Sequence, residues 1–144
     1  MKRLGRAALA SAVVVAAVWL VIRLGQSPPD GPVEVAWDDA ACAECRMHVG
    51  APAFAAQLQT RDGEVLDFDD PGCLFRYRAA RRPRVHAVYF HAHEGNAWLR
   101  ESEVAFRRVD DTPMGYGLAA VRRGTPGAVT LREAERLVRE GGRR

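Results

Sequence analysis

With 144 residues, 21 of them basic and 18 acidic, the chain carries a formal net charge of +3 and has only three cysteines. The basic excess is confined to the N-terminus: Lys2, Arg3, Arg6 and Arg23 stand there with no acid among them, leaving 17 basic against 18 acidic residues for the rest. That balance excludes a nucleic-acid footprint, and the arginines between Arg76 and Arg84 read as a solvated helix face because no stacking aromatics recur among them.

Residues 1–24 read as a targeting element. An apolar run over residues 7–22, broken only by Ser11, follows Lys2, Arg3 and Arg6. Positive charge on that side keeps the N-terminus cytoplasmic and sends the remainder outward. The run is short for about 30 Å of hydrocarbon, but Leu4, Leu24 and snorkelling arginines extend it. No small-x-small cleavage pattern follows Ile22, so the expectation is an uncleaved inner-membrane anchor with the domain facing the periplasm. Residues 25–36 form a linker stiffened by Pro28, Pro29 and Pro32. Residues 37–144 are enough chain for a single modest core.

The domain opens on Cys42-Ala43-Glu44-Cys45-Arg46-Met47-His48, which gathers two thiols, a thioether and an imidazole in one short stretch. Sulfur of both kinds selects Cu(I), whereas zinc sites rarely include methionine and hard cations want oxygen. A four-cysteine zinc site would need a second pair, and only Cys73 remains. Taken singly, a methionine is an adaptable core filler and a cysteine a small buried hydrophobe. Their clustering is what points to a soft metal.

A hairpin follows. Phe54, Ala56 and Leu58 alternate with smaller or polar residues, Asp62-Gly63 supplies a positive-φ turn, and residues 65–68 return. Asp70 is a natural N-cap with Pro71 at the first helical position, so a helix is expected to run to Arg82-Pro83. Cys73 falls on its first turn, where the helix dipole favours a thiolate. A second unit of the same kind is expected: a strand over 85–92, a turn at 93–96, a return at 97–99 and a short helix over 101–108. Met114 lies in the tight loop Thr112-Pro113-Met114-Gly115, and residues 117–121 read as a further strand. Thr130-x-x-Glu133 is a capping box ahead of Leu131, Ala134, Leu137 and Val138, with Gly141 closing an amphipathic helix. The pattern is α+β, with two strand-strand-helix units behind an N-terminal membrane helix.

Four stretches in this order resemble the NosL family, the copper-binding accessory proteins of nitrous-oxide reductase maturation. They are Cys45-Arg46-Met47, Ala55-Ala56-Gln57, Phe68-Asp69-Asp70-Pro71-Gly72-Cys73 and Thr112-Pro113-Met114-Gly115-Tyr116-Gly117. The resemblance spans residues 38–140. It implies a periplasmic, membrane-tethered Cu(I) metallochaperone, not an enzyme, that passes copper to nitrous-oxide reductase through a membrane transporter complex. It also implies a fold of repeated strand-strand-helix units, similar in topology to organomercurial lyase, and Cys45, Met47 and Met114 as the copper ligands. Cys42, His48 and Cys73 are secondary candidates. The sequence departs from the family in three respects. Arg46 stands where glycine is common, and it brings a positive charge near the metal. No cysteine precedes Cys42, so a helical anchor has to replace a lipid. Cys42 itself adds a thiol able to oxidise with Cys45 in an exported compartment.

Two other classes of function fit parts of the chain. A thiol-disulfide oxidoreductase would use Cys42 and Cys45, but residues 48–52 run into a loop where a helix is expected. A lyase of the organomercurial type would draw on Cys45, Cys73 and Asp69, leaving the Pro-Met-Gly loop without a role. His91 and His93 share a strand face but adjoin a hairpin tip, where polar residues belong in any case. Asp70 is explained by its cap, and Asp69 is left as a supporting group beside the metal.

Overall fold

The computed structural model describes residues 2–25 and 27–141 and, within the first helix, the side chains of residues 11–21 and 25. That helix, α1, spans Lys2–Gly25. Its described side chains are exposed, Val13, Val14, Val15 and Trp19 among them. Residues 11–21 cover about 16 Å at 1.5 Å per residue, roughly half of a bilayer core. Among the described residues no helix is long and apolar enough to cross a membrane. The expected span is thus not found as one, and the side chains that would complete it lie outside the described residues.

The hairpin forms where the sequence places it. Strands β1 (Ala56–Thr60) and β2 (Val65–Phe68) pair antiparallel with Leu58 opposite Leu66, and Gly63 makes the turn at φ 84°. On its other edge β1 pairs with β3 (Val85–His91), Leu58 opposite Val88, and β4 (Trp98–Arg100) completes the order β2-β1-β3-β4. Strand alternation sends Ala56 and Leu58 into the core and Gln57 and Gln59 to the opposite face, yet both glutamines are fully buried. Residues 31–33 cover them. Gln57 exchanges hydrogen bonds with both the N–H and the carbonyl of Val33, at 2.8 and 3.0 Å, and donates to Asp67; Gln59 donates to the carbonyl of Gly31. These hydrogen bonds tie the preceding segment to the sheet, although Gln59 Oε1 is buried without a partner among the described residues.

Helix α2 (Pro71–Arg81) is capped by Asp70, whose side chain accepts from the Gly72 N–H, and it stops at Arg82 in the left-handed region. The short helix expected over 101–108 does not form. A turn at Glu101 leads into strand β5 (Val104–Arg108), which pairs with β6 (Leu118–Arg122), Phe106 opposite Ala120. Val104 and Phe106 are branched and aromatic side chains that suit a pleated surface, and β6 offers them a partner that the segment alone does not reveal. Helix α3 (Leu131–Gly141) then opens on Thr130, whose hydroxyl accepts from the Glu133 N–H. The second strand-strand-helix unit is therefore β5, β6 and α3, with the hairpin of β3 and β4 inserted between the two units. Phe75 of α2, Phe90 of β3 and Phe106 of β5 meet in one aromatic triad, with ring centroids 5.1 to 5.8 Å apart.

Candidate metal centre

The cysteine loop is a closed turn. The Cys42 N–H donates to the Met47 carbonyl at 2.8 Å and the Arg46 N–H donates to the Cys42 carbonyl at 3.0 Å, while Ala41 bridges to His48. Closing so tightly requires Arg46 to adopt φ 67°, the left-handed region that glycine enters freely. The Ala43 N–H donates to the Asp67 carbonyl at 2.9 Å, holding the loop against β2. Cys73 approaches from the first turn of α2. As a result the sulfur atoms of Cys42, Cys45 and Cys73 lie within 4.8 Å of one another. Cys42 and Cys73 are fully buried and Cys45 is half-buried, and all three are free thiols.

Two consecutive aspartates hold this arrangement from opposite sides. Asp69 accepts from the N–H groups of Gly50 and Ala51 at 3.1 and 3.4 Å, which secures the exit of the cysteine loop. Asp70 accepts from Gly72 on one oxygen, at 2.8 Å, and from the Met114 N–H on the other, at 3.2 Å. The Met114 loop is thereby seated on the start of α2. Its own turn is closed by hydrogen bonds to Thr112 from the N–H groups of Gly115 and Gly117, both of which have positive φ. Gly72 makes the contact possible, because a Cβ there would lie 2.1 Å from Cγ of Tyr116.

The thiols do not share their charge evenly. A hydrogen bond from the Cys73 thiol lowers Cys42 to about 5 against the opposing effect of burial, and the backbone N–H groups of Cys45, Asp69 and Glu44 pull the same way. Cys73 moves upward because it keeps the proton it donates and because it is buried. Burial also raises Cys45. The trio thus carries one negative charge at neutral pH, compact and sulfur-lined, which suits a soft cation of low charge. Burial raises Asp69 and Asp70 above the usual carboxylate range despite their backbone donors.

Of the residues singled out in the sequence, the structure groups Cys42, Cys45 and Cys73 and brings the Met114 backbone to the same helix end. Met114 is half-buried against the core, whereas Met47 is 58% exposed and His48 is exposed. Cys73 is a full member of the cluster although it lies far from Cys42 in the chain; its position on a capped first turn was the available signal. His91 is buried between the rings of Trp37 and Trp98, and its two ring nitrogens face Ala92 O and Asn96 Oδ1. The ring of His93 packs on Phe54. These two histidines belong to the packing, not to the sulfur cluster. No helix follows Cys45 directly; a single 3-10 turn spans Pro52–Phe54.

Neither a protein-family model nor a curated protein matches the chain. Among solved structures, the copper chaperone NosL from Shewanella denitrificans matches with a TM-score of 0.51 at 17% identity, over 78% of this chain and 89% of that one. The arrangement of sheets and helices that presents the sulfur cluster is accordingly a NosL-like fold.

Proposed function

We propose that the protein is a copper chaperone that binds Cu(I) at Cys45, with Met47 and Met114 as thioether ligands, and releases it to an acceptor. One observation carries this reading: three cysteine sulfurs lie within 4.8 Å at the helix start on which the Met114 loop is seated. Thiolate and thioether ligands favour Cu(I) over zinc and over hard cations. An exposed Met47 beside a half-buried Cys45 leaves room for an incoming ligand to attack the bound metal, so transfer proceeds ligand by ligand and needs no covalent catalysis. The acceptor we assign is nitrous-oxide reductase, reached through a membrane transporter complex. The support for that client is the ordered set of motifs around Cys45, Asp69-Asp70 and Met114. The apolar run over residues 7–22 and the basic residues before it support tethering to the inner membrane with the domain in the periplasm.

Competition against a Cu(I) chelator under reducing, anaerobic conditions tests the ligand set. Met47→Ala and Met114→Ala are each expected to weaken Cu(I) binding by about tenfold, corresponding to roughly 1.4 kcal/mol, with circular dichroism unchanged. Any weak zinc binding should barely respond, because zinc does not favour thioethers. If both variants hold Cu(I) as tightly as the parent, the methionines are packing residues and the assignment fails.

A further inference from the structure

We propose that Cys42, Cys45 and Cys73 form a second, inner seat for Cu(I), sharing Cys45 with the outer seat, so that the metal is retained inside and handed over outside. The proposal rests on the copper reading above and adds a retention site to it. The sulfur-bearing residues are graded in depth: Met47 is 58% exposed, Cys45 is half-buried, and Cys42 and Cys73 are fully buried. An acceptor can reach the first two and cannot reach the last two.

The inner seat is close to preformed. Metal–thiolate bonds of about 2.3 Å, the zinc value, place the three sulfurs of a trigonal site about 4 Å apart. Those of Cys42, Cys45 and Cys73 already lie within 4.8 Å, so closing on a metal takes a shift of less than an ångström in the widest pair. Cys42 and Cys73 pack within the core, and what sets them apart from core fillers is that their sulfurs converge with that of Cys45.

One turn contributes to both seats, since the Met47 carbonyl accepts from the Cys42 N–H, while Cys73 comes from α2 and Met114 from its own loop. Cys45 is the pivot. In moving inward, copper exchanges its bonds to Met47 and Met114 for bonds to Cys42 and Cys73 while keeping Cys45. Any thiol proton displaced by coordination goes to solvent, and the copper remains Cu(I) throughout, so no oxidant or reductant takes part.

The test uses the full-length, reduced protein in detergent with one equivalent of Cu(I). X-ray absorption at the copper edge reads the seat without any substitution, and the expected result is three thiolate sulfurs. Release to a Cu(I) chelator gives the second measurement. Cys42→Ser and Cys73→Ser should each speed release and lower affinity by about tenfold or more, while Met47→Leu, which removes a ligand of the outer seat only, should slow release. A copper environment of one thiolate and two thioethers, with release unaltered in Cys42→Ser and Cys73→Ser but lost binding in Cys45→Ser, overturns the inner seat and leaves the copper reading standing. A parent protein that takes up no Cu(I) overturns both.

Discussion

Cys42 shows how one neighbour can outweigh burial. Its thiol lies well below the ordinary value of 9.0, at about 5, because Cys73 donates a hydrogen bond to the thiolate. In the metal-free, reduced protein, ultraviolet thiolate absorbance should therefore show a step near pH 5. Cys73→Ala should move that step toward the ordinary thiol range of about 8.5. A folded value below the unfolded one means that ionisation stabilises the fold: the contribution is complete above pH 9.0, shrinks as pH falls, and is gone below about 5. Asp67, Asp69 and Asp70 have the opposite sign, since burial raises them. Their contribution is complete below 3.8 and is lost as pH rises through their folded values. Thermal melting followed across pH should then show Cys73→Ala losing the gain in stability that the parent makes between about pH 5 and 9. If the parent has no absorbance step below neutral pH, Cys73 does not donate as described. Arg46 is also under constraint, since holding a side chain at φ 67° costs about 1–2 kcal/mol.

At the level of elements, the first turn of α2 is the platform on which two loops converge. Gly72 is its critical position: a methyl group there would meet Tyr116 at 2.1 Å, and Tyr116 is itself 5% exposed and cannot swing out freely. Gly72→Ala should destabilise the protein by about 1–3 kcal/mol, the usual effect of overpacking. It should also weaken Cu(I) binding, because the Met114 loop moves with Tyr116. Gly31→Ala, with nothing within 4 Å of the added methyl, is the control. Equal melting temperatures and copper affinities for the two variants would mean that the loop does not depend on this contact. The caps at Asp70 and Thr130 and the turn at Gly63 were legible in the sequence because each is decided within a few neighbouring residues. Residues 101–108 were not legible. The short apolar run of Val104, Ala105 and Phe106 suits either a helix or a strand, and β6, which arrives only at Leu118, decides in favour of the strand.

For the whole molecule, the apolar run over residues 7–22 bears on where the domain resides. The expected anchor predicts that the protein sediments with inner membranes, and that added protease removes the domain from spheroplasts without lysis. Protection until lysis would reverse the topology. A soluble mature protein beginning after residue 24 would rule out a permanent anchor. The domain itself is held by contacts between distant segments: the triad of Phe75, Phe90 and Phe106 joins one helix to both sheets, and Arg78 bridges to Glu101 and to Glu135 of α3.

By itself the sequence supplied the sulfur-bearing side chains, since thiols and thioethers and their softness are properties of residue type. It also determined the caps and turns, whose hydrogen bonds close within three or four residues. Only the tertiary structure decided that Cys73 joins Cys42 and Cys45, that Asp69 and Asp70 each secure a different loop, and that residues 31–33 bury Gln57 and Gln59. Those outcomes depend on segments far apart in the chain, brought together by core packing and strand pairing that no local pattern encodes.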